Sequence, residues 1–581
     1  MDIFDFFTMF GGLAFFLYGM TVMSSGLEKI AGGKLESTLK KMTSNPFKSL
    51  LLGAGITIAI QSSSAMTVML VGLVNSGIMT LGQTIGVIMG SNIGTTLTAW
   101  ILSLAGIGDE NIFLRLLKPD SFSPIVALIG VLMIMMYNGK KNADIGRIFV
   151  GFAILMFGME LMGDSVNGLA ESESFASILI AFSNPIVGVI VGAVFTGVIQ
   201  SSAASVGILQ ALSLTGQISY GMAIPIIMGQ NIGTCVTSLI SSIGVNKNAK
   251  RVAAVHILFN LIGTVILLVA FYAVDYFIKF SFIDNAIDPV QVALVHTVFN
   301  VVTTIMLFPF SKHLGKLATM IVRDNNKEEV YELLDERLFA TPSVAVGRCR
   351  EITVEMGRMA ITSFTDTIDM LMSYDDKKAS EIEKVEAQTD LYEDKLGSYL
   401  VKLSRESLSV DDSHETSKML YCIGDFERIG DHACNMLLVS KEIRDKEITF
   451  SPEAQKGIET MSLALKEITD LTLRAFAEND LDLAKKVEPL EQVIDRLQTK
   501  LKSGHTLRLK QGECTIEMGF VFNDLLNNYE RVADHCSNIA VCLIQIAEDQ
   551  FETHGYLSNI KSHGDDEFDK QYKDYKEKYS L

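Results

Sequence analysis

Apolar stretches recur along the first half of the chain, at roughly residues 4–23, 84–104, 122–137, 145–163, 219–243, 252–274 and 291–310. Most approach the ~20 residues a helix needs to cross a bilayer, and 122–137 is the shortest of them. Two further apolar stretches, 47–76 and 186–215, are interrupted midway by Gln61-Ser62-Ser63-Ser64 and Gln200-Ser201-Ser202. Non-helical backbone survives at membrane depth only where protein shields it or where it lines a wet cavity. The pattern therefore predicts two helical hairpins, each entering and leaving on one side. After Phe310 the pattern changes. Residues 311–345 read as a basic, then mixed-charge linker containing Pro342, and 346–547 as long amphipathic helices with few Gly or Pro. The last residues, from about 556, read as a loose Lys/Asp/Glu/Tyr-rich tail. The fold class expected is all-α, with a polytopic membrane domain followed by a helical domain outside the bilayer.

Charge follows the same division. Of the net −18, only −1 falls on residues 1–310 and −17 on the remainder. The acidic balance argues against nucleic acid as a partner. Seven scattered cysteines without a CxxC pair suit a reducing compartment rather than a disulfide framework. No basic region precedes the first apolar stretch, so a cleaved signal peptide is not expected. With the N-terminus outside and both interrupted stretches re-entrant, the inner loops carry Lys29, Lys34, Lys40, Lys41, Lys48, Lys140, Lys141, Arg147, Lys247, Lys250 and Arg251. The outer loops carry only Arg115, Lys118 and Lys279. This agrees with the positive-inside rule and leaves the acidic C-terminal part in the cytoplasm after seven crossings.

The membrane part repeats at an offset of 139 residues without a gap. Gly19-Met20 returns as Gly158-Met159, Asn45-Pro46 as Asn184-Pro185, and Gly53 and Thr57 as Gly192 and Thr196. Gln61-Ser62-Ser63 returns as Gln200-Ser201-Ser202, and Asn92-Ile93-Gly94-Thr95 as Asn231-Ile232-Gly233-Thr234. Each unit, about 4–137 and 143–310, holds three crossings before the last span, so the copies should face opposite ways. Residues 24–49 hold five lysines, whereas the matching 163–188 hold neither Lys nor Arg. Inverted repeats whose broken helices meet near the midplane are the architecture of many secondary transporters.

A Gln-Ser-Ser cluster between two half-helices offers amide and hydroxyl donors and free backbone N–H groups, which attract anions. Arg147 and Lys48 lie only at the first residues of their apolar stretches and no Lys or Arg lies deeper in a predicted span, so an anion would depend on neutral donors and a bound cation. The Asn-Ile-Gly-Thr segments supply uncharged oxygen donors suited to Na⁺, with a Gly that permits an unwound turn. A single such motif could equally be a close helix contact; duplication in register favours a site. His256 and His296 each open a His-x-x-Phe-Asn segment, with Asn260 and Asn300 one turn on. These suit interhelical hydrogen bonds. Glu160 and Asp164 read as interfacial.

The C-terminal half repeats as well. Asp425-Phe426-Glu427-Arg428-Ile429-Gly430-Asp431-His432 is echoed by Asn528-Tyr529-Glu530-Arg531-Val532-Ala533-Asp534-His535, and Glu386 and Asp390 by Glu491 and Asp495. Each pair is Glu-x-x-x-Asp, with both carboxylates on one helix face. Two such helices facing each other would gather four carboxylates around a point. A divalent or iron-type metal would neutralise them, with Mg²⁺, Ca²⁺, Mn²⁺ or iron favoured by oxygen ligands. The competing reading is a solvated acidic face paired with Arg428 and Arg531.

Over about residues 1–310, the paired Gln-Ser-Ser and Asn-Ile-Gly-Thr segments resemble the type II sodium–phosphate cotransporters. The Glu-Arg-x-x-Asp-His repeat resembles the PhoU family, phosphate-linked regulators built from two three-helix bundles that bind metal clusters. The resemblance implies sodium-coupled transport of inorganic phosphate across the plasma membrane, regulated by a metal-binding domain at residues 346–555. It implies phosphate at Gln61, Ser62, Ser63, Ser64, Gln200, Ser201 and Ser202, and sodium at Asn92, Thr95, Thr96, Asn231, Thr234 and Asn260. Ala203 departs from the pattern, standing where the family often has a third Ser. A second reading is a membrane phosphate sensor with little transport. No nucleophile–base pairing or phosphate-cradling loop points to an enzyme. A regulatory protein partner at the PhoU-like domain and a homo-oligomer are both compatible with this reading.

Overall fold

The computed structural model describes residues 3–31, 45–104, 119–136, 140–167, 184–323, 334–371, 373–547 and 566–581. Among the described residues there are helices and one isolated bridge, Ser219–Ala286, but no strand. The chain forms two compact units. One is Met1–Ala345 with Ser407–Ser409; the other is Val346–Glu406 with Val410–Leu581.

The first unit contains α1 (Ile3–Ala31), α2 (Pro46–Ile60), α3 (Ser63–Asn75), α4 (Leu81–Ser103), α5 (Pro119–Met136) and α6 (Lys140–Asn167). It continues with α7 (Pro185–Ile199), α8 (Ser202–Ser213), α9 (Tyr220–Gly233), α10 (Cys235–Ser241), α11 (Lys247–Ile278), α12 (Pro289–Leu307) and α13 (Ser311–Ile321). Among the described residues six segments are long and apolar enough to cross a membrane: α1, α4, α6, α9 with α10, α11, and α12 continuing into α13. The chain is a membrane protein. The span expected at 122–137 is the exception, being a shorter apolar helix. It nonetheless exposes Ile125, Leu128, Met135 and Met136 as a lipid-facing side chain would be exposed.

Glycines set the packing, and they do so twice. A Cβ on Gly53 would lie 2.2 Å from the Val87 carbonyl oxygen, and one on Gly90 1.9 Å from that of Leu50. At the offset of the repeat, Gly192 meets Ile226 O at 2.2 Å and Gly229 meets Val189 O at 2.1 Å. Only glycine allows backbones to approach this closely. Leu50–Gly90 and Ala54–Gly94 advance together, so α2 and α4 run parallel. Because only residues 76–80 join α3 to α4, α3 returns to the end from which α2 started. At that end Asn75 Oδ1 accepts from the Asn246 backbone N–H at 2.8 Å. The second pair, α7 and α8, returns to the opposite end, where Gln210 Nε2 donates to Ala99 O and Pro289 O, each at 2.9 Å. The repeats are thus inverted. Helices α1 and α6 cross reciprocally, Gly12 against Gly158 and Gly19 against Gly151, the self-complementary contact of a pseudo-two-fold axis.

The stretch expected as a linker, 311–345, is folded onto this unit in its described parts. Asp335 is fully buried and accepts from Asn75 Nδ2 at 2.6 Å and from Arg337 at 3.1 Å. Arg337 also donates to the Ser241 and Ile243 carbonyls at 2.7 Å each, closing the C-terminal end of α10. Leu338 is fully buried beside Gly72 of α3.

The second unit is two sets of three long helices. The first set is α14 (Pro342–Met370), α15 (Asp376–Leu403) and α16 (Val410–Asp445). The second is α17 (Pro452–Glu478), α19 (Val487–Gln511) and α20 (Ile516–Ala547), with the short α18 (Leu481–Ala484) between its first two members. Fully buried Phe364, Phe426, Phe476, Phe522 and Tyr529 form its core. The α16–α20 contact is reciprocal: His432 Nδ1 pairs with Asn528 Oδ1 and His535 Nδ1 with Asp425 Oδ1, both at 2.8 Å. The loose tail is a correction. Residues 548–565 lie outside the described residues, but Asp566–Lys578 forms a helix, α21. It is held by Lys578 on Glu467 at 2.8 Å and by Lys500 on the Leu581 carbonyl at 2.7 Å. Tyr572, Tyr575 and Tyr579 recur at helical spacing, giving one face of an otherwise charged segment something to bury.

Candidate functional site

Each Gln-Ser-Ser break has the same local construction. α2 and α7 start at Pro46 and Pro185 behind capping Asn45 and Asn184, and end on Gln61 and Gln200. Both glutamines sit in the left-handed region, at φ 58° and 57°, with their N–H groups donating to Thr57 O and Thr196 O at 2.7 Å. A non-glycine residue there costs on the order of 1–2 kcal/mol. The next serine caps the outgoing helix: Ser62 Oγ accepts from Ala65 N at 3.1 Å and Ser201 Oγ from Ala204 N at 3.2 Å. Each break therefore aims a helix N-terminus, with its unpaired N–H groups, at the point where the chain reverses.

Both breaks open on one cavity of about 350 Å³. Gln61, Ser62, Ser63 and Ser64 line it from one repeat, and Gln200, Ser201, Ser202 and Ala203 from the other. Among the described residues no charged side chain lines it. The two glutamines differ. Gln61 is buried, donating to Ile58 O at 2.7 Å and accepting from Thr98 Oγ1 at 2.7 Å. Gln200 is exposed, and its amide has no partner among the described residues. Thr21, Ser24 and Ser25 of α1 complete the lining. Sequence reasoning passed over them inside an apolar span, although their i, i+3, i+4 spacing marks one polar face.

The expected sodium residues are brought together in part. Asn92 Nδ2 donates to Asn260 Oδ1 at 2.8 Å, and Asn260 Nδ2 reaches Cys235 Sγ at 3.3 Å, joining the two Asn-Ile-Gly-Thr segments through α11. Of the six, Thr95 alone lines the cavity. Thr96 and Thr234 donate to Ile93 O and Gln230 O in their own helices, and Asn231 Nδ2 to Ile227 O. His256 makes an interhelical bond to Ser238 at 3.1 Å. Within each His-x-x-Phe-Asn segment the asparagine amide donates to the histidine carbonyl rather than to its ring.

In the second unit, Glu386, Asp390 and Asp431 bring one ligand atom each within 4.8 Å of one another. Burial, then the neighbouring Asp390 and Asp431, raises the Glu386 carboxyl above its usual range. Burial, then Asp431 and Asp390, pushes Glu427 up to about 7. Carboxylate oxygens gathered this closely are donors that a divalent or iron-type cation would neutralise. The matching set does not gather: Glu491, Asp495, Glu530 and Asp534 form no three-ligand group among the described residues. Arg531 lies 3.7 Å from Glu530 and 3.4 Å from Asp534, whereas Arg428 makes no ion pair among the described residues.

Comparison with known proteins matches the Na+/Pi-cotransporter family over residues 15–164 and 154–291, and the PhoU domain over 353–438 and 458–543. YjbB of Escherichia coli K12, whose given name proposes inorganic phosphate export, is 21% identical over 546 residues, covering 92% of this chain and 97% of that protein. Sodium-dependent phosphate transport protein 2A of Rattus norvegicus is 39% identical over 110 residues, 18% of this chain and 17% of the rat protein. The crystal structure of PhoU from Pseudomonas aeruginosa is 22% identical with a TM-score of 0.33, covering 35% of this chain and 96% of that one. The repeated helical breaks and the repeated carboxylate helices thus coincide with two family matches, and the chain belongs to the Na+/Pi-cotransporter family through its membrane part, fused to a C-terminal pair of PhoU domains.

Proposed function

We propose that the protein couples sodium to the movement of inorganic phosphate across the cytoplasmic membrane. The observation that carries this is the one cavity shared by the two inverted breaks, lined among the described residues by no charged side chain. Phosphate there would be held by the hydroxyls of Ser62, Ser63, Ser64, Ser201 and Ser202, the amides of Gln61 and Gln200, and the N-termini of α3 and α8. Such donors carry no full positive charge, so desolvating the anion requires a cation to enter with it. Sodium at Asn92, Thr95, Thr96, Asn231, Thr234 and Asn260 would supply that charge. The α2–α3 and α7–α8 pairs act as re-entrant hairpins from opposite faces, and rocking of the repeats exposes the cavity alternately. The distribution of Lys and Arg supports an N-terminus outside and a C-terminal unit in the cytoplasm.

The C-terminal unit regulates transport by binding a divalent or iron-type metal. Glu386, Asp390 and Asp431 are its first ligands, with Glu427 alongside. Glu491, Asp495, Glu530 and Asp534 would join only if Arg531 moved away. The test of the whole reading is labelled-phosphate flux in proteoliposomes, with and without a sodium gradient, in both directions. Sodium-driven flux is expected. Sodium-independent flux, or none, defeats it, and phosphate binding without flux would favour a membrane sensor instead.

A further inference from the structure

Helix α12 carries a polar face that the cavity does not use. His296, Asn300, Thr303 and Thr304 recur at i, i+4, i+7 and i+8, and all are at most 3% exposed. Each has a buried polar atom without a partner among the described residues: His296 Nδ1, Asn300 Oδ1, Thr303 Oγ1 and Thr304 Oγ1. Orphaned polar atoms at such depth are costly, and native proteins satisfy nearly all of them.

The same unit shows what satisfied side chains look like. Thr84, Thr96 and Thr234 donate to carbonyls of their own helices, Thr264 to Met228 O, and Thr57 and Thr196 to serine hydroxyls. The hydroxyls of Thr303 and Thr304 do none of this. Asn260 and Asn300 differ in the same way. Both amides donate to the carbonyl of the histidine four residues earlier, but Asn260 Oδ1 receives Asn92, whereas Asn300 Oδ1 receives nothing from the described residues. The face lies at a helix contact: a Cβ on Gly263 of α11 would be 2.3 Å from Thr303 Cγ2 and 3.2 Å from its Oγ1. Phe299, the neighbour of Asn300, packs on Ile224 and Met228 of α9.

We propose that Asn300, Thr303 and Thr304 form a second monovalent-cation site at the α11–α12 contact, separate from the Gln-Ser-Ser cavity and from the Asn92–Asn260 pair. The spacing puts three uncharged oxygens on one turn of one face, and hard neutral oxygens suit a singly charged ion. With no carboxylate among the three, the site discriminates against divalent ions, whose desolvation it could not offset. Sodium is the cation named because this rests on the proposed coupling. Its occupation is read without any flux.

The experiment is thermal unfolding of the full-length protein in NaCl against equal choline chloride, without phosphate. The wild type gains stability specifically from sodium. The Thr303→Val/Thr304→Val double variant, nearly isosteric, matches or exceeds the wild-type melting temperature in choline, because two orphaned hydroxyls are gone. Its sodium half-saturation rises at least about tenfold, since two of the three proposed ligand oxygens are gone. Should that variant not fold, Asn300→Asp supplies the opposite arm, lowering the half-saturation several-fold. An unchanged sodium response in either variant overturns the site and leaves a face that holds water alone. Failure of sodium-driven flux with an intact, variant-sensitive sodium response would instead defeat the transport reading.

Discussion

Replacing Gly53 by alanine should disable transport without touching any group that contacts a ligand. Its Cβ would lie 2.2 Å from the Val87 carbonyl oxygen, where ordinary contact begins at 3.4 Å, so α2 and α4 must part by about 1.2 Å. Overpacking of this kind costs about 1–3 kcal/mol. The displacement is carried along α2 to Gln61, the residue that closes the helix at the cavity. A misplacement of about 1 Å can cost on the order of 100-fold in a process that depends on positioning. Gly55 is the control: two residues away on the same helix, its Cβ would meet nothing within 4 Å. Phosphate flux per folded transporter should fall about 10- to 100-fold in Gly53→Ala, whereas Gly55→Ala should match the wild type or gain a little helix stability. Gly192→Ala, at the same place in the second repeat, should reproduce the defect. Full flux in Gly53→Ala, or equal damage in Gly55→Ala, would refute the claim that close α2–α4 packing sets the site.

Other expectations follow from the same structure. Asp335→Ala strands Asn75 and part of Arg337 in a buried setting and should lower stability by about 3 kcal/mol, read as a drop of several degrees in the full-length melt; no change would make the 334–341 segment a passive tether. Glu427 holds its proton up to about 7 in the folded state against a reference of 4.5, so its contribution is full below 4.5 and is lost as pH rises through 7. Metal-free protein should therefore lose melting temperature between pH 5 and 8, and Mn²⁺ or Glu427→Gln should flatten that slope; a flat metal-free profile would contradict it. Deleting residues 566–581 removes the Lys578–Glu467 and Lys500–Leu581 contacts and buried Tyr579, and should lower the unfolding temperature of the second unit. An unchanged melt would mean α21 is only lightly attached.

Much of the site was legible because repetition exposes constraint. Gln61 and Gln200 are apolar-span interruptions at one fixed offset, and the structure brings both to the same cavity. Thr21, Ser24 and Ser25 were not legible, because a few hydroxyls in a span read as helix contacts until the partner helices are known. The acidic sets looked alike in sequence, since Glu-Arg-x-x-Asp occurs in both. They differ in the ion pairs of the arginine: Arg531 pairs with Glu530 and Asp534, and Arg428 makes no such pair among the described residues. The reciprocal His432–Asn528 and His535–Asp425 pairs were hidden for a related reason. They depend on how α16 crosses α20, which spacing along one helix cannot convey. The charge of α21 masked its tyrosine face, and the buried Asp335 in a charged stretch gave no local signal at all.

Binding of labelled phosphate to the purified full-length protein, in sodium and in choline, tests the shared cavity most directly. The account predicts sodium-dependent binding that is lost in Gln61→Ala and equally in Gln200→Ala, although one glutamine is buried and the other exposed. Retention of full binding by either variant would contradict it, because the two inverted breaks would then not be building one site.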